Sequence, residues 1–295
     1  MPEIEGTFTI GDTELYTKTW MPDDPVAANL IFFHGYSDHC NAYRSLFPSL
    51  AARRIAVYSL DQRGWGRSAK TPRDRGLSGP TATVLADMVA FIQSVVAQSV
   101  DVPVFVMGNS MGGGQILTLA CTPAYNDIAG RVRGWLAEAP FIAFPRGAEP
   151  MALEVYAGRL LGKLLPRFQL KKPIDPHILT RVAANAEAVA ADELCHDTGT
   201  LQGLAGMLDR AANLERGKMS LNPSVSALAI FHGSGDKVTS HLASRKFIDE
   251  QKIQDKMFKE YDGGYHQLHA DLCADEFIQD VGDWILARLD VKARL

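Results

Sequence analysis

An α/β chain with a mostly parallel central sheet, helices on both faces and a helical insertion is what the sequence predicts, on three observations. Short apolar runs rich in β-branched and aromatic residues alternate with helical stretches over most of the 295 residues, the pattern of a sheet whose crossovers are helices. One such run, Val104-Phe105-Val106-Met107, turns abruptly at Gly108 and passes into the helical pattern GGGQILTLAC. The alternation stops between Phe141 and about Val225, where helical segments follow one another, and resumes at Ala227. The expected division is a core of residues 1–140 and 226–295 with a helical cap of residues 141–225.

Taken in order, Thr7 to Ile10 and Glu14 to Trp20 alternate polar and apolar residues around Gly11-Asp12, which reads as a hairpin of two edge strands. Asn29 to Phe33 is a buried strand, followed by His34-Gly35-Tyr36-Ser37-Asp38-His39 and a helix over Asn41 to Arg53. Ile55 to Leu60 is the next strand. The loop Asp61-Gln62-Arg63-Gly64-Trp65-Gly66-Arg67-Ser68 after it holds a G-x-G without the third glycine of a dinucleotide-binding turn, so a structural role is expected. Gly79 to Ser99 is a long helix with Pro80 near its start and an apolar face from Val84 to Val96. Gly134 to Ala139 is another strand. Within the insertion, Met151 to Leu165 is a strongly apolar helix, Pro173 and Pro176 mark a connection, and Val182 to Cys195 is an Ala-rich helix. The core then resumes with strand Ala227 to Phe231, helix Ser240 to Gln251, strand Lys256 to Asp262 and helix Ala274 to Leu289.

The turn after Met107 reads Gly108-Asn109-Ser110-Met111-Gly112, a G-x-S-x-G between strand and helix. The glycines relieve crowding around a strained residue, and the strain lifts the Ser110 hydroxyl out of the sheet. The Met111 amide and the positive end of the helix dipole then lie where an oxyanion would form. His34-Gly35 after a buried strand is a second such junction, and the Tyr36 amide is the expected other oxyanion donor, unless Gly35 only permits a tight turn and His34 packs beneath it. A serine hydroxyl is a poor nucleophile at neutral pH and needs a base, which in turn needs an orienting acid. Ser110, Asp236 and His266 each follow a predicted strand and occur in the chain order of an α/β-hydrolase triad, with Asp236 as acid and His266, rather than His269, as base.

These segments, HGYSDH, DQRGWGRS, GNSMGGG, HGSGDKVT and GGYHQLH, resemble the monoacylglycerol lipase and lysophospholipase branch of the α/β-hydrolases over nearly the whole chain. The resemblance implies hydrolysis of single-chain glycerolipid esters with no metal or cofactor. It implies Ser110, Asp236 and His266 as triad and the Tyr36 and Met111 amides as oxyanion hole. The chain departs from the family in Asn109, where His is frequent, and in Tyr36, where a small residue is frequent. The Tyr36 phenol is expected either to narrow the acyl channel or to offer a hydroxyl.

Composition bounds the alternatives. The net charge of −4 and scattered basic residues give no field for nucleic acid. Cys40, Cys121, Cys195 and Cys273 lie far apart, which fits neither a zinc site nor a disulfide scaffold and suits a cytoplasmic setting. The first twenty residues lack the basic start and apolar stretch of a signal peptide, and no apolar run reaches membrane-spanning length. The expected partner is a small-molecule lipid ester. Peripheral membrane or lipid-droplet contact through the cap is a second expectation, because Leu153, Tyr156, Leu160, Leu161, Leu164 and Leu165 form an apolar helix face flanked by Arg159, Lys163 and Arg167. That face either packs on the sheet or lines an acyl tunnel. The same triad also serves a small-ester carboxylesterase or an aminopeptidase, the latter needing an amine anchor such as Glu149 or Glu154. A metal site from His266, His269 and Asp271 is disfavoured by its H-x-x-H spacing in a loop.

Overall fold

The β-rich runs pair into one sheet in the computed structural model, which describes residues 2–289 and all side chains among them but those of 152–155 and 157. Its strands, in chain order, are β1 (Glu3–Ile10), β2 (Thr13–Trp20), β3 (Ala28–Phe33), β4 (Ile55–Leu60), β5 (Val104–Asn109) and β6 (Gly134–Glu138). The insertion contributes a separate pair, β7 (Gln169–Lys171) and β8 (Thr198–Thr200), before β9 (Ala227–Gly233) and β10 (Asp255–Tyr261) complete the main sheet. Helices are α1 (Leu46–Ala52), α2 (Thr81–Gln98), α3 (Met111–Cys121), α4 (Asn126–Gly130), α5 (Ala152–Leu164), α6 (Ala183–Ala191), α7 (Leu201–Glu215), α8 (His241–Glu250) and α9 (Ala274–Leu286).

The main sheet runs in the order β1-β2-β4-β3-β5-β6-β9-β10. Every neighbouring pair from β4 to β10 is parallel, and β2 is antiparallel to both β1 and β4. Only β1 of the opening hairpin is therefore an edge. β4 takes the far edge of β2, whose side chains are buried on the two faces, Leu15 in the cluster beneath α2 and Tyr16 and Trp20 in the one beneath α1. In the centre, Phe33 pairs with Gly108, Asn109 with Glu138 and Glu138 with Phe231, so the loops after β3, β5, β6 and β9 leave the sheet side by side. Ligands of open parallel sheets bind at this carboxyl edge.

Alternate residues of the central strands feed two cores. Val106, Trp135 and Ile230 pack against α2, α3 and α8 on one face, and Phe105, Leu136 and Phe231 against α1 and α9 on the other. Contrary to the sequence reading, α2 is long and apolar enough to cross a membrane by length and composition. Its Val84, Leu85, Met88, Phe91, Ile92 and Val95 are spent on the first core instead, and Asp87 forms a two-bond pair with Arg63.

Two local differences from the sequence reading have clear causes. The helix expected over Asn41 to Arg53 is a single turn at Cys40–Ala42, a left-handed Arg44 (φ 48°) and then α1. Pro48 is tolerated only in a first turn, so the helix starts just before it. The Ala-rich helix stops at Ala191, where the Asp192 carboxylate accepts the Leu194 N–H and turns the chain. In the insertion, β7 and β8 are three-residue strands, too short to show period-two alternation. α7 belongs partly to the core, its Ala211 and Leu214 being buried, Leu214 within the α2–α3 cluster.

Candidate active site

Ser110 sits at φ 52°, ψ −113°, a conformation that strains a residue with a side chain by about 1–3 kcal/mol. The surroundings leave it no other. A Cβ on Gly108 would lie 2.5 Å from the carbonyl group of Gly112, and one on Gly112 would lie 2.2 Å from the Phe33 carbonyl oxygen. These contacts are to backbone, so neither position tolerates a side chain. The Ser110 N–H donates to Glu138 O and its carbonyl accepts from Phe141 N–H, which ties the turn to the neighbouring strand end. Met111 opens α3, and first-turn amides have no acceptor within their own helix.

The Asp236 side chain is buried where β9 leaves the sheet. Its Oδ1 accepts the backbone N–H groups of Val238 and Thr239, and its Oδ2 accepts His266 Nδ1–H at 2.8 Å. Burial alone would raise its pKa, but the facing His266 and His232 hold the carboxyl well below the usual carboxylate range. The helix that follows, α8, is capped by Ser240, whose hydroxyl accepts the Ala243 N–H, and not by Asp236. His266 is fully enclosed, which disfavours its charge, yet the Asp236 carboxylate outweighs burial and keeps its pKa above the ordinary histidine value. This orients Nε2 away from Asp236 and makes the ring a stronger base.

The other sequence candidates go to different partners. His269 is buried with Nδ1 at 2.7 Å from Glu138 Oε1, and its ring packs on Tyr43 with centroids 4.5 Å apart. Asp271 pairs with Arg181. His266, His269 and Asp271 thus face three separate counter-groups and form no common ligand set. Glu149 is exposed and accepts the Gly147 N–H, away from Ser110, and the Glu154 side chain lies outside the described residues.

The loop after β3 packs against the elbow: a Cβ on Gly35 would be 3.3 Å from Ser110 Cβ. His34 is structural. Its Nδ1–H donates to Gly35 O and its Nε2 accepts the Gln62 N–H, each at 2.8 Å, while burial lowers its pKa and keeps the ring neutral. Tyr43 was not singled out from the sequence, yet its hydroxyl accepts the Gly35 N–H and donates to Asp38 Oδ2 at 2.6 Å, so it holds the loop from below. The Tyr36 hydroxyl neither fills the oxyanion site nor points at the nucleophile. It donates to Asp197 O of the cap at 2.8 Å while its ring stands edge-on to Trp65. Trp65 in turn stacks on His196, which explains the structural role of the DQRGWGRS loop: it supports the cap.

Two cavities meet at Ser110. One of about 340 Å³ is lined by Ser110, Met111, Phe141, Phe144, Leu204 and Leu208 among others and is almost wholly apolar. The other, about 550 Å³, is lined by Ser110, Asn109, His266, Gln267, Asp38 and Asp197 among others. Tyr36 borders both. The family model described as "Serine aminopeptidase, S33" matches residues 24–272. A protein of Schizosaccharomyces pombe named "Putative monoglyceride lipase" is 33% identical, over 92% of this chain and 71% of that protein.

The chain belongs to this family, as a monoglyceride-lipase-like α/β-hydrolase.

The mouse protein named "Monoglyceride lipase" is 28% identical over 93% of the hydrolase and 88% of its own length. In fold, a soluble variant of monoglyceride lipase from Saccharomyces cerevisiae, solved with a substrate analog, matches with a TM-score of 0.85 at 20% identity, covering 97% of this chain and 94% of that one.

The cap of this α/β-hydrolase departs from the sequence expectation. Tyr156, Leu160, Leu161, Leu164 and Leu165 neither pack on the sheet nor line the apolar cavity. They are exposed, Leu164 by 74%, the Leu153 side chain lies outside the described residues, and among the described side chains of α5 the cavity touches Gly158 and Arg159. A large part of its apolar lining comes from α7, through Leu201, Leu204, Ala205, Met207 and Leu208, beside Phe141 and Phe144. One cluster escaped sequence reasoning because its members are far apart: His39, Asp192 and Cys195 bring ligand-type atoms within 4.8 Å of one another. There the His39 Nδ1 accepts the Asn41 N–H, so Nε2 carries the proton and donates to Asp192 at 2.9 Å. The group is a hydrogen-bonded clasp between core and cap.

Proposed function

We propose that the hydrolase cleaves monoacylglycerol-type esters by acyl transfer to Ser110, with His266 as general base, Asp236 as its orienting acid and the Tyr36 and Met111 amides as oxyanion donors. The observation that carries this reading is the placement of the strained serine between an almost wholly apolar cavity and a second one that gathers polar groups, Asp38, Asn109, Asp175, Asp197 and Gln267, among apolar walls. The acyl chain enters the first, beside Phe141, Phe144 and the α7 leucines, and the glycerol moiety enters the second. His266 takes the Ser110 proton as Oγ attacks the ester carbonyl, and the oxyanion forms against the two amides. His266⁺ then gives its proton to the departing glycerol oxygen, and a water activated by the same imidazole releases the fatty acid. No step calls for a metal or cofactor.

Each methylene buried in the apolar cavity contributes about 0.8 kcal/mol, roughly fourfold in kcat/KM, until the cavity is full. A series of monoacylglycerols from short to long acyl chains is therefore expected to show kcat/KM rising and then levelling. Flat or falling values would remove the acyl-cavity reading. A second reading, aminopeptidase action, is favoured by Asp175 and Asp197 on the polar cavity, where a substrate amine would find carboxylates. Aminoacyl arylamides in the same series decide between the two: turnover confined to the arylamides selects the peptidase.

We further propose that α5 rests on a membrane or lipid-droplet surface in a reducing, cytoplasmic setting. Met151, Tyr156, Leu160, Leu164 and Phe168 are exposed beside Arg159, Lys163 and Arg167, an amphipathic face with cations at its flank, and all four cysteines are free thiols. Replacing Leu160 and Leu164 together by Asp is expected to lower binding to phosphatidylcholine–phosphatidylserine vesicles at least tenfold. Turnover of a soluble short-chain ester should stay unchanged. Unaltered sedimentation with vesicles would refute the docking face.

A further inference from the structure

Asp236 carries a second imidazole that the reaction scheme above does not use. His232, on β9, is fully buried, and its Nε2–H donates to Asp236 Oδ2 at 3.0 Å, with both side chains wholly enclosed. That is the same oxygen that accepts His266 Nδ1–H at 2.8 Å. The Thr239 hydroxyl also donates to this oxygen, at 2.8 Å, with Ala139 O a longer alternative acceptor at 3.1 Å. On the far side of the His232 ring, Nδ1 is buried without a hydrogen-bond partner.

The arrangement is more than packing. Asp236 is already anchored through Oδ1 by the Val238 and Thr239 amides, so the carboxylate needs no further donor to stay in place. An ionised carboxylate oxygen offers two in-plane lone pairs. His266, His232 and the Thr239 hydroxyl share them, and because all three draw on the charge of one atom, each weakens the others' bonds.

The geometry points to His232 as a positioning residue of the triad: it shares Asp236 Oδ2 with His266 and tempers the carboxylate, so that the base releases its proton nearer neutrality. The inference rests on the Ser110–His266–Asp236 reading above. Other titratable groups facing this cluster are His241 of α8, whose ring centroid is 6.1 Å from that of His232 and which pairs with Glu260, and Glu138 and Asp38, which act on His266 from the opposite side.

His232→Phe removes the donor and keeps the ring volume; His232→Gln restores an amide donor. With a soluble ester, the Phe variant is expected to lose about tenfold or more in kcat with KM within about twofold, as deletion of a hydrogen bond to a charged group does. The acid limb of its kcat/KM–pH profile should also move to higher pH by roughly half a unit or more, because Asp236 then holds the His266 proton harder. The Gln variant should recover most of both. A folded Phe variant, judged by circular dichroism and Tm, whose acid limb coincides with the parent's overturns the inference, as does Gln behaving like Phe. If Phe prevents folding, the Gln and Met variants give the same comparison with and without a donor, and equal limbs again overturn it. A fluorophosphonate separates the two levels of argument. An adduct away from Ser110 ends the underlying triad reading, whereas an adduct on Ser110 with unmoved limbs ends only the role of His232.

Discussion

Ser110→Ala is expected to leave the fold unchanged and to cost on the order of 10⁴- to 10⁶-fold in kcat, the range seen when a serine nucleophile is removed from an intact oxyanion hole. The fold should survive because the strain of the elbow lies in its backbone. Gly108 and Gly112 make the close approaches, and the Ser110 amide and carbonyl bind Glu138 and Phe141 whatever side chain stands there. Alanine is as able as serine to occupy φ 52° under those constraints. Single-turnover kinetics with an ester, together with Tm, measure both halves of the statement. Retention of more than about a hundredth of kcat would sink Ser110 as nucleophile.

The two neighbouring histidines are expected to fail in different ways. His266→Ala removes the base and should lower kcat on the order of 10³-fold or more with little change in Tm. His269→Ala should do the reverse. It leaves the buried Glu138 carboxyl, whose Oε2 already has no hydrogen-bond partner, without the imidazole at Oε1 as well. The backbone N–H of residue 269 still serves Oε1, and loss of the imidazole hydrogen bond to this buried carboxyl costs about 1–3 kcal/mol of stability. Turnover per folded molecule should stay close to that of the parent. Paired kcat and thermal-unfolding measurements on the two variants test the assignment, and a kcat loss in His269→Ala equal to that in His266→Ala would exclude it.

Strand and elbow positions are legible in the sequence because each depends on neighbours only a few residues away. Val104 to Met107 has β-rich apolar character, and the glycines that follow announce a turn where backbones touch. Ser110, Asp236 and His266 could be singled out since each follows such a run, and the structure places Asp236 against His266 and both Ser110 and His266 on one cavity. The opening hairpin shows where local reasoning stops. Its alternation is visible, but whether β2 is an edge depends on β4, which pairs Leu60 with Thr17 from more than forty residues away.

By itself, then, the sequence determined the α/β alternation, the interruption after β6 and the three residues that the elbow and the last strands present. Those follow from propensity, period and turn chemistry, all local. Tertiary structure alone decided what covers each surface. The α5 pattern announces an apolar face, yet periodicity cannot say whether sheet, substrate or lipid meets it; the chain leaves Leu160 and Leu164 uncovered, while Leu204 and Leu208 of α7 line the cavity. Nor could it reveal that His232 shares an oxygen with His266, or that Tyr36 binds a cap carbonyl 161 residues away. Such pairings depend on directions and distances between chain segments brought together by the sheet, and a linear pattern carries neither.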